Sequence, residues 1–216
     1  KGKKVLEIGC GMGFHSEILA NYCGEYTGID LTENAVKATK KRFELKGLKG
    51  KVINADAEKL PFPDNYFDFI WSWGVIHHSS STGKCIKEIS RVCKKEGEAR
   101  IMVYNRDSTI AYIYFFFKHI FNLGVLKRSF DETLNISTDG YSARYYTVDQ
   151  FSDLLHIFFN NVKTNIYALD SNIIPLPNSK LRSFILKFIP SKLIKKIQSR
   201  FGWFIFVIAN NDKSAS

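Results

Sequence analysis

Short apolar runs alternate with longer segments of helical periodicity along the first half of this chain of 216 residues. Each run is too short for a helix, which favours a buried strand. The predicted strands are Val5–Ile8, Tyr26–Ile29, Val52–Ile53, Phe69–Trp73 and Ala99–Tyr104. Strands that alternate with helices in this way predict a parallel sheet with helices on both faces.

Two of the intervening helices have recognisable ends. Thr32 is a candidate N-cap for the first helix, which Gly47 and Gly50 end. Its predicted inner face consists of Ala35, Val36, Ala38 and Phe43. The second helix is predicted to run from Gly83 to Lys95, before Gly97. Its predicted buried side consists of Ile86, Ile89 and Val92.

The turn after the first strand is rich in glycine and reads Gly9-Cys10-Gly11-Met12-Gly13. It leads into a helical pattern, and the next strand ends on Asp30. A strand, a glycine turn, a helix and a second strand with a terminal acid form the half-Rossmann unit that binds an adenosine-containing cofactor. Glycines let the backbone approach the ligand, and the acid can accept hydrogen bonds from ribose hydroxyls.

The glycine spacing differs from that of a dinucleotide-binding loop. A G-x-G-x-x-G loop would place its third glycine at Phe14, whereas this chain reads E-x-G-x-G-x-G from Glu7. The segment VLEIGCGMG resembles motif I of the class I S-adenosylmethionine-dependent methyltransferases. The resemblance implies that the loop wraps the methionine and ribose parts of that cofactor. The loop by itself leaves an NAD-dependent Rossmann oxidoreductase open as the alternative.

A second block, NADAEKLPFPDNYFD, follows the third strand. It resembles the corresponding segment of ubiquinone-biosynthesis-like methyltransferases, the group also called methyltransferase type 11. This resemblance implies that Asp56 accepts a hydrogen bond from the adenine amino group and that the backbone of Ala57 contacts the ring. The alternative for Asp56 is a loop carboxylate that accepts a hydrogen bond from a nearby N–H group.

The resemblance implies an α/β, Rossmann-like class I methyltransferase fold, with a seven-stranded, mostly parallel sheet and an α-helical insertion after strand 5. S-adenosyl-L-methionine is the implied cofactor, and S-adenosyl-L-homocysteine is the implied product. The expected reaction is methyl transfer to an O, N or C atom of a small acceptor. The predicted cofactor-binding residues are Glu7, Gly9, Cys10, Gly11, Gly13, Asp30, Leu31, Asp56, Ala57 and Trp73. No metal site is predicted.

Paired histidines follow the fourth strand. His77 and His78 are the candidate catalytic bases, because they are titratable groups expected near the transferred methyl group. The alternative is that one ring packs and the other shapes the pocket, since an activated cofactor needs no dedicated base. An Asn-Pro-Pro-Tyr type of motif, used by enzymes that methylate amino groups of nucleic-acid bases, is absent after this strand. Nucleic acid is therefore disfavoured as a substrate.

The second half of the chain resembles the methyltransferase family less closely than the first half. Ile110–Leu126 is dense in aromatic residues and favours a cap, the wall of an apolar pocket or an interfacial membrane helix. A cap that also lines the pocket fits best and favours a hydrophobic, lipid-like or aromatic acceptor. Arg144, Tyr145 and Tyr146 are the predicted substrate residues, with bracing of their own loop as the alternative.

The predicted C-terminal elements are one helix and two strands. Thr147 and Gln150 form a capping box for the helix. Its predicted apolar side consists of Phe151, Leu154, Leu155 and Phe158. Val162–Leu169 and Trp203–Ala209 are predicted to pair as antiparallel strands at the sheet edge.

Basic residues are in excess, with 31 Lys and Arg against 21 Asp and Glu and a formal charge of +10. Lys180–Arg200 contains seven basic residues and no acid, with apolar faces on either side of Pro190. Such a segment fits either the surface of an anionic membrane or a packed helix pair with a solvated lysine face. A non-catalytic, cofactor-binding module at a membrane surface is therefore a further alternative for the function.

The organisation predicted from these features has a cofactor-binding half (1–107), an aromatic-rich helical insertion (108–146) and a C-terminal part (147–216) with its basic amphipathic insertion (180–200). The four cysteines show neither metal nor disulfide spacing, which fits a reducing compartment. No signal peptide is visible, so we expect a cytoplasmic protein, with peripheral membrane contact through residues 180–200 as an alternative to a packed helix pair. The chain begins almost on its first strand, and we expect a further N-terminal segment before it.

Overall fold

The computed structural model describes residues 2–109, 112–113, 116, 119–120, 143–168 and 179–211. The predicted helix over Ile110–Leu126 lies largely outside these residues. The chain divides into two compact units. The first unit comprises Lys1–Met102, Phe151–Lys163 and Val207–Ser216, and the second comprises Val103–Gln150 and Thr164–Phe206. The boundaries predicted at residues 107 and 146 stay predictions.

The described residues form one sheet of eight strands. Their bounds are β1 Lys4–Ile8, β2 Glu25–Asp30, β3 Lys51–Asn54, β4 Phe67–Trp73, β5 Cys93–Asn105, β6 Tyr145–Tyr146, β7 Asn161–Tyr167 and β8 Phe204–Asn210. The order across the sheet is β3-β2-β1-β4-β5-β8-β7, and the short β6 pairs with β5. The pairings of β1 with β2 and β4, of β2 with β3, and of β5 with β4 and β6 are parallel. The predicted α/β fold with a mostly parallel sheet is confirmed.

Six α-helices have bounds that the structure describes. They are α1 Phe14–Tyr22, α2 Glu33–Lys46, α3 Thr82–Val92, α4 Val148–His156, α5 Ser179–Leu186 and α6 Ser191–Phe201, and a 3₁₀ turn spans Ile76–His78. The predicted capping box before α4 is confirmed, because Gln150 N donates to Thr147 Oγ1 at 3.1 Å and Thr147 N donates to Gln150 Oε1 at 3.3 Å.

The buried side of α3 and the relative direction of the last two strands agree with the predictions. The buried side chains of α3 include Ile86, Ile89 and Val92, as predicted. Asn161 Nδ2 donates to Asn210 Oδ1, which places the start of β7 beside the end of β8. Since the two strands are neighbours in the sheet, they run in opposite directions, as predicted.

Two local predictions were wrong. Helix α3 ends at Val92 rather than Lys95, because Cys93 is extended and pairs with Phe67 as the first residue of a longer β5. Tyr145 and Tyr146, predicted as part of a loop, form the short strand β6. Thr32 occupies the N-cap of α2 as predicted, although its hydroxyl makes no capping bond and donates to Asp30 Oδ1 instead.

Candidate functional site

The loop after β1 adopts a backbone that glycine tolerates best. Gly9, Gly11 and Gly13 have φ angles of 76°, 53° and 78°. Gly9 N and Cys10 N both donate to the carbonyl oxygen of Ile29, at 2.8 and 3.0 Å. These bonds fold the loop over the carboxyl end of β2, where ligands bind in open parallel sheets.

Helix α2 fixes the glycine loop from the other side. Thr39 Oγ1 donates to Gly11 O at 3.0 Å, and Arg42 Nε donates to Met12 O at 2.9 Å. Sequence reasoning missed both residues, because they lie 28 and 30 positions from their partners. One signal was available for Thr39, since a polar residue on the buried side of a helix requires a hydrogen-bond partner.

Asp30 ends β2 and is tied to the glycine loop. Its Oδ2 accepts from Gly11 N at 3.0 Å, and its Oδ1 accepts from both N and Oγ1 of Thr32 at 2.9 Å. The carboxylate is half-buried and held in one orientation. Because a carboxylate offers about four acceptor positions, Asp30 retains capacity for a ligand hydroxyl.

The carboxyl ends of β2 and β3 are joined by side-chain and backbone bonds. Ala55 N donates to Asp30 O at 3.0 Å, and Asn54 Nδ2 donates to the carbonyls of Asp30 and Leu31. Asp56 follows directly and is exposed. Its Oδ1 accepts from Glu58 N at 2.8 Å, which is the loop contact that the sequence left as an alternative. The contact of Asp56 and Ala57 with an adenine ring stays a prediction.

Residues 55–65, which we call the acidic loop, are held by α3 and the residues just before it. At its start, Glu58 Oε1 accepts from Ser80 Oγ at 2.5 Å and from Ser81 N at 2.8 Å. The Ser80 hydroxyl, with the Ser81 N–H, lowers the pKa of Glu58. The acidic loop is therefore anchored to the residues that begin α3.

Arg91 anchors the rest of the acidic loop. Its guanidinium donates to the carbonyl oxygens of Leu60 and Phe62 at 2.9 and 2.8 Å, and to Asp64 Oδ1 at 2.7 Å. Glu88 accepts two further bonds from the same group, and these carboxylates raise the pKa of Arg91. Sequence reasoning missed this role, because an arginine near the end of an amphipathic helix gives no sign of partners 27 to 31 positions away.

Two predicted cofactor residues have buried side chains beneath the glycine loop. Glu7 accepts hydrogen bonds from the hydroxyls of Ser16 and Tyr26, and burial raises its pKa to about 7. The Cys10 side chain packs with Tyr26, Val36, Phe43 and Val52. Burial also raises the pKa of the Cys10 thiol to about 11. The observed role of both side chains is to support the loop, and their contact with a cofactor stays a prediction.

The structure separates the two candidate catalytic histidines. His77 is fully buried, with its ring centroid 4.2 Å from that of His78. Burial lowers the pKa of His77 to about 3, so its neutral ring is a poor proton acceptor. The burial disfavours His77 as a general base, but its catalytic role stays a prediction. His78 is half-buried, and its catalytic role also stays a prediction.

Trp73 ends β4 in a cluster of aromatic rings. It stacks on Trp71, with ring centroids 5.4 Å apart and an interplanar angle of 8°. The ring of His15 meets both tryptophans edge-on, and Trp71 Nε1 donates to His15 Nδ1 at 3.2 Å. Leu31, beyond the end of β2, is exposed. The cofactor contacts of Trp73 and Leu31 stay predictions.

The predicted substrate residues lie in the second unit. Tyr145 and Tyr146 belong to β6, and the ring centroid of Tyr145 lies 5.4 Å from that of Tyr104 on β5. Arg106 N donates to Tyr146 O at 2.8 Å, while Arg144 is exposed. These contacts support the alternative that the tyrosines brace their own segment, and substrate contact stays a prediction for all three.

The residues of the glycine loop and of the neighbouring strand ends fit an adenosine-containing cofactor. A Cβ built at Gly11 would have no protein atom within 4 Å, so the loop backbone borders open space there. Asp30 supplies acceptors beside that space for hydroxyl groups. Within the described residues, no group of three or more His, Cys, Asp or Glu side chains is placed to hold a metal ion.

Comparison with known proteins shows similarity to methyltransferases over the first half of the chain. Residues 6–101 match the family model described as "Methyltransferase domain". The uncharacterised methyltransferase YcgJ of Bacillus subtilis is 35% identical over 95 residues, which are 44% of this chain and 38% of YcgJ. The crystal structure of YcgJ superposes with a TM-score of 0.59 and 18% identity, covering 98% of this chain and 93% of that one. At this identity the superposition shows the fold alone.

Two further relatives carry names that state a reaction. Demethylmenaquinone methyltransferase of Geobacillus kaustophilus is 30% identical over 141 residues, which are 61% of this chain and 60% of that protein. Fatty-acid O-methyltransferase of Mycolicibacterium smegmatis is 33% identical over 99 residues, 45% of this chain and 35% of that protein. The chain thus spans between about one third and three fifths of the length of these relatives. Over residues 6–101 it is similar to methyltransferases, and this similarity implies S-adenosylmethionine as the cofactor.

Proposed function

We propose that this protein transfers the methyl group of S-adenosylmethionine to an O, N or C atom of a small, hydrophobic acceptor. The observation that carries the proposal is the Asp30 carboxylate, which binds Gly11 N and both donors of Thr32 at the open end of the sheet. A carboxylate fixed beside a glycine loop is the arrangement that recognises a ribose in half-Rossmann units. The match of residues 6–101 to the methyltransferase domain model supports this assignment.

The cofactor, when bound, supplies a methyl group already activated by its sulfonium sulfur. The chain then has to bind and orient the reactants and to exclude water. Gly11 and Asp30 would hold the methionine and ribose parts, and Asp56 with the Ala57 backbone would hold the adenine. Of the two candidate histidines, we favour His78 for accepting a proton from the acceptor, since His77 is buried with a pKa of about 3.

The acceptor class is inferred from the aromatic character of the chain and from its relatives. Phe69, Trp71 and Trp73 form a stacked series along one face of β4. The relatives named above act, by their names, on demethylmenaquinone and on fatty acids. Both acceptors are largely apolar, which supports an aromatic or lipid-like acceptor here.

Replacement of Asp30 by Ala tests the cofactor site. We expect the dissociation constant for S-adenosylmethionine, measured by calorimetry, to rise about tenfold or more, because charge-assisted hydrogen bonds are lost. Glu33→Ala is the matched control, since Glu33 is an exposed acid three positions away that pairs with Lys37. An unchanged dissociation constant for Asp30→Ala would remove Asp30 from the cofactor site.

Turnover separates the proposed function from its alternatives. Incubation with S-adenosylmethionine and either a demethylated quinone or a fatty acid should yield S-adenosylhomocysteine, detected by mass spectrometry. A non-catalytic module would bind the cofactor without forming this product in the presence of any acceptor. An NAD-dependent oxidoreductase would instead bind NADH in a fluorescence titration and would not bind S-adenosylmethionine.

A further inference from the structure

Helices α5 and α6 of the second unit expose neighbouring apolar side chains. None of the described residues in either helix is buried. Leu181, Phe184 and Leu193 are 48%, 59% and 48% exposed, and Phe188 in the turn after α5 is 71% exposed. Exposed apolar side chains that adjoin one another, unlike isolated ones, mark a site of interaction.

The exposed side chains of α5 share one face with two lysines. Lys180, Leu181, Phe184, Lys187 and Phe188 follow a spacing of 1, 3, 3 and 1 residues, which keeps them on one side of a helix and its next turn. Phe184 and Phe188 meet edge-on, with ring centroids 5.0 Å apart. A pocket of about 420 Å³ is lined there by Lys180, Ser183, Phe184 and Lys187. This face therefore carries both apolar side chains and ammonium groups.

Helix α6 divides into an anchored side and a basic side. Ile194, Ile197 and Gln198 are half-buried, and Gln198 Nε2 donates to Ala168 O at 2.9 Å. The exposed side carries the basic residues Lys192, Lys195, Lys196 and Arg200. Ser108 Oγ donates to Phe201 O at 2.9 Å at the end of the helix. The helix is thus held by its inner side, and its four cations face solvent.

The charge of this surface is not balanced locally. The sequence has no Asp or Glu between Asp170 and Asp212. Among the ion pairs of the described residues, none includes Lys192, Lys195, Lys196 or Arg200 of α6. In contrast, lysines of α2 pair with acids on their own helix. A dense cationic surface of this kind attracts a polyanionic partner.

We propose that α5 and α6 form a surface that binds an anionic lipid bilayer peripherally. Phe184, Phe188 and Leu181 would enter the boundary between headgroups and acyl chains, and the lysines would meet the lipid phosphates. Long lysine side chains suit this position, because their methylene stems cover apolar surface while the ammonium group stays in water. In the described part of the chain, no helix is long and apolar enough to cross a membrane, so the helices lie on the surface.

A bilayer accounts for both features of the surface. A nucleic acid would satisfy the cations through its phosphates, but it offers no apolar phase for two exposed phenylalanines. The proposal does not rest on methyl transfer and would stand for a non-catalytic protein. Its test therefore measures binding to membranes and uses cofactor affinity only to show that each variant is folded.

The test is co-flotation of the full chain with vesicles of phosphatidylcholine alone or of an equal mixture with phosphatidylglycerol. We expect binding to the mixed vesicles only, with a fall at high salt. The variant with Lys192, Lys195, Lys196 and Arg200 all changed to Gln should bind at least about tenfold more weakly, because each cation adds to the attraction. The matched control changes Lys40, Lys49, Lys51 and Lys95 to Gln, since these exposed lysines of the first unit remove the same charge. We expect the control to keep its binding.

A second variant, with Phe184 and Phe188 changed to Ser, separates a bilayer from a nucleic acid. Both rings are exposed, so the variant should keep its helical circular dichroism and its affinity for S-adenosylmethionine. It should bind mixed vesicles about tenfold more weakly, because the apolar contact is lost. Equal loss in the control variant, unchanged binding of the Phe variant, or binding to a duplex oligonucleotide in preference to mixed vesicles would each overturn the proposal.

Discussion

The glycine loop (residues 9–13) and the acidic loop (residues 55–65) follow two strands of one sheet but are held in different ways. The glycine loop depends on backbone conformation, with three glycines at positive φ and two N–H groups on Ile29 O. The acidic loop depends on side chains of α3 and its N-terminus, chiefly Arg91 and the serines that bind Glu58. The first is fixed by what the backbone can adopt, and the second by ion pairs and hydrogen bonds.

This difference predicts how each loop responds to change. A backbone conformation that favours glycine is strained by any side chain, and an added methyl group that also meets packed atoms can disrupt it. A loop held by several hydrogen bonds to one guanidinium loses them together but keeps its own backbone. We therefore expect the largest effects in the glycine loop and beneath it, and smaller effects in the acidic loop.

The largest effect is expected from Gly9→Ala. The new Cβ would lie 2.2 Å from Val75 Cγ2, and the backbone φ of 76° adds strain for any L side chain. We expect the free energy of unfolding, measured by urea denaturation, to fall by about 4 kcal/mol from overpacking and the left-handed conformation together. S-adenosylmethionine affinity should be lost as well.

Gly11→Ala is the matched control within the same loop. Its φ is 53°, but a Cβ there would meet no protein atom within 4 Å. Stability should therefore fall by only about 1 kcal/mol, from the backbone conformation. The added methyl group should still weaken S-adenosylmethionine binding, because it enters the space that the cofactor is expected to use. Equal destabilisation by the two substitutions would contradict the account of Gly9 as the packed position.

Glu7→Gln tests the buried carboxyl beneath the glycine loop. The pKa of Glu7 is raised from 4.5 to about 7 in the folded protein, chiefly by burial. Between these values the folded state holds more protons than the unfolded state, so the Glu7 contribution to stability is full below pH 4.5 and is lost as pH rises to about 7. Gln lacks this titration. The difference in unfolding free energy between variant and wild type should move by about 3 kcal/mol in favour of Gln across that range.

The comparison of Glu7→Gln with the wild type cancels the contributions that other titrating groups make to the pH dependence of stability. The lowered pKa of His77 makes stability rise with pH between about 3 and 6.5, but it does so in both proteins and cancels. Urea denaturation at a series of pH values gives the difference directly. A difference that stays constant with pH would show that Glu7 titrates as an ordinary surface carboxyl.

Arg91→Met tests the acidic loop with a side chain of similar length and no charge. Bonds to Leu60 O, Phe62 O, Asp64 and Glu88 are lost at once. We expect a loss of about 2 kcal/mol in the free energy of unfolding and a rise of about threefold in the S-adenosylmethionine dissociation constant. Lys41→Gln is the control, because its ion pair with Glu44 is 61% and 69% exposed and should contribute under about 0.5 kcal/mol. Comparable effects of both substitutions would show that the hydrogen bonds of Arg91 do not hold the acidic loop.

The two loops also differ in how far the sequence predicted them. Gly9, Gly11, Gly13 and Asp30 stand in a local motif, so their placement followed from spacing within one strand-turn-helix-strand unit. Arg91 donates hydrogen bonds to residues that lie 27 to 31 positions earlier. Two of these acceptors are backbone carbonyls, which carry no sequence signal. Local periodicity also placed the first five strands and erred where a helix passes directly into β5 at Cys93. The sequence therefore predicts a site to the extent that its contacts are local.

His77 shows a related limit. Adjacent histidines after a strand look equivalent in the sequence, yet one ring is fully buried and the other half-buried. The 3₁₀ turn Ile76–His78 decides which ring faces the core, and no local pattern specifies that rotation. The pKa of a candidate base depends on this burial, so its assignment needed the fold.

Thr39→Val gives the smallest expected effect and the sharpest test of the glycine loop. The substitution keeps the shape of a fully buried side chain but removes the hydroxyl that donates to Gly11 O at 3.0 Å. The carbonyl of Gly11 then loses a partner on the α2 side, and we expect a loss of about 1 kcal/mol in stability. Because Gly11 N also binds Asp30, a loosened Gly11 peptide should weaken S-adenosylmethionine binding by about threefold. Thr39→Ser restores the hydroxyl and should restore the affinity, although it leaves a methyl-sized gap. If Ser and Val weakened binding equally, the packing of Thr39 and not its hydrogen bond would hold the loop, and the glycine loop would depend on side chains as much as the acidic loop does.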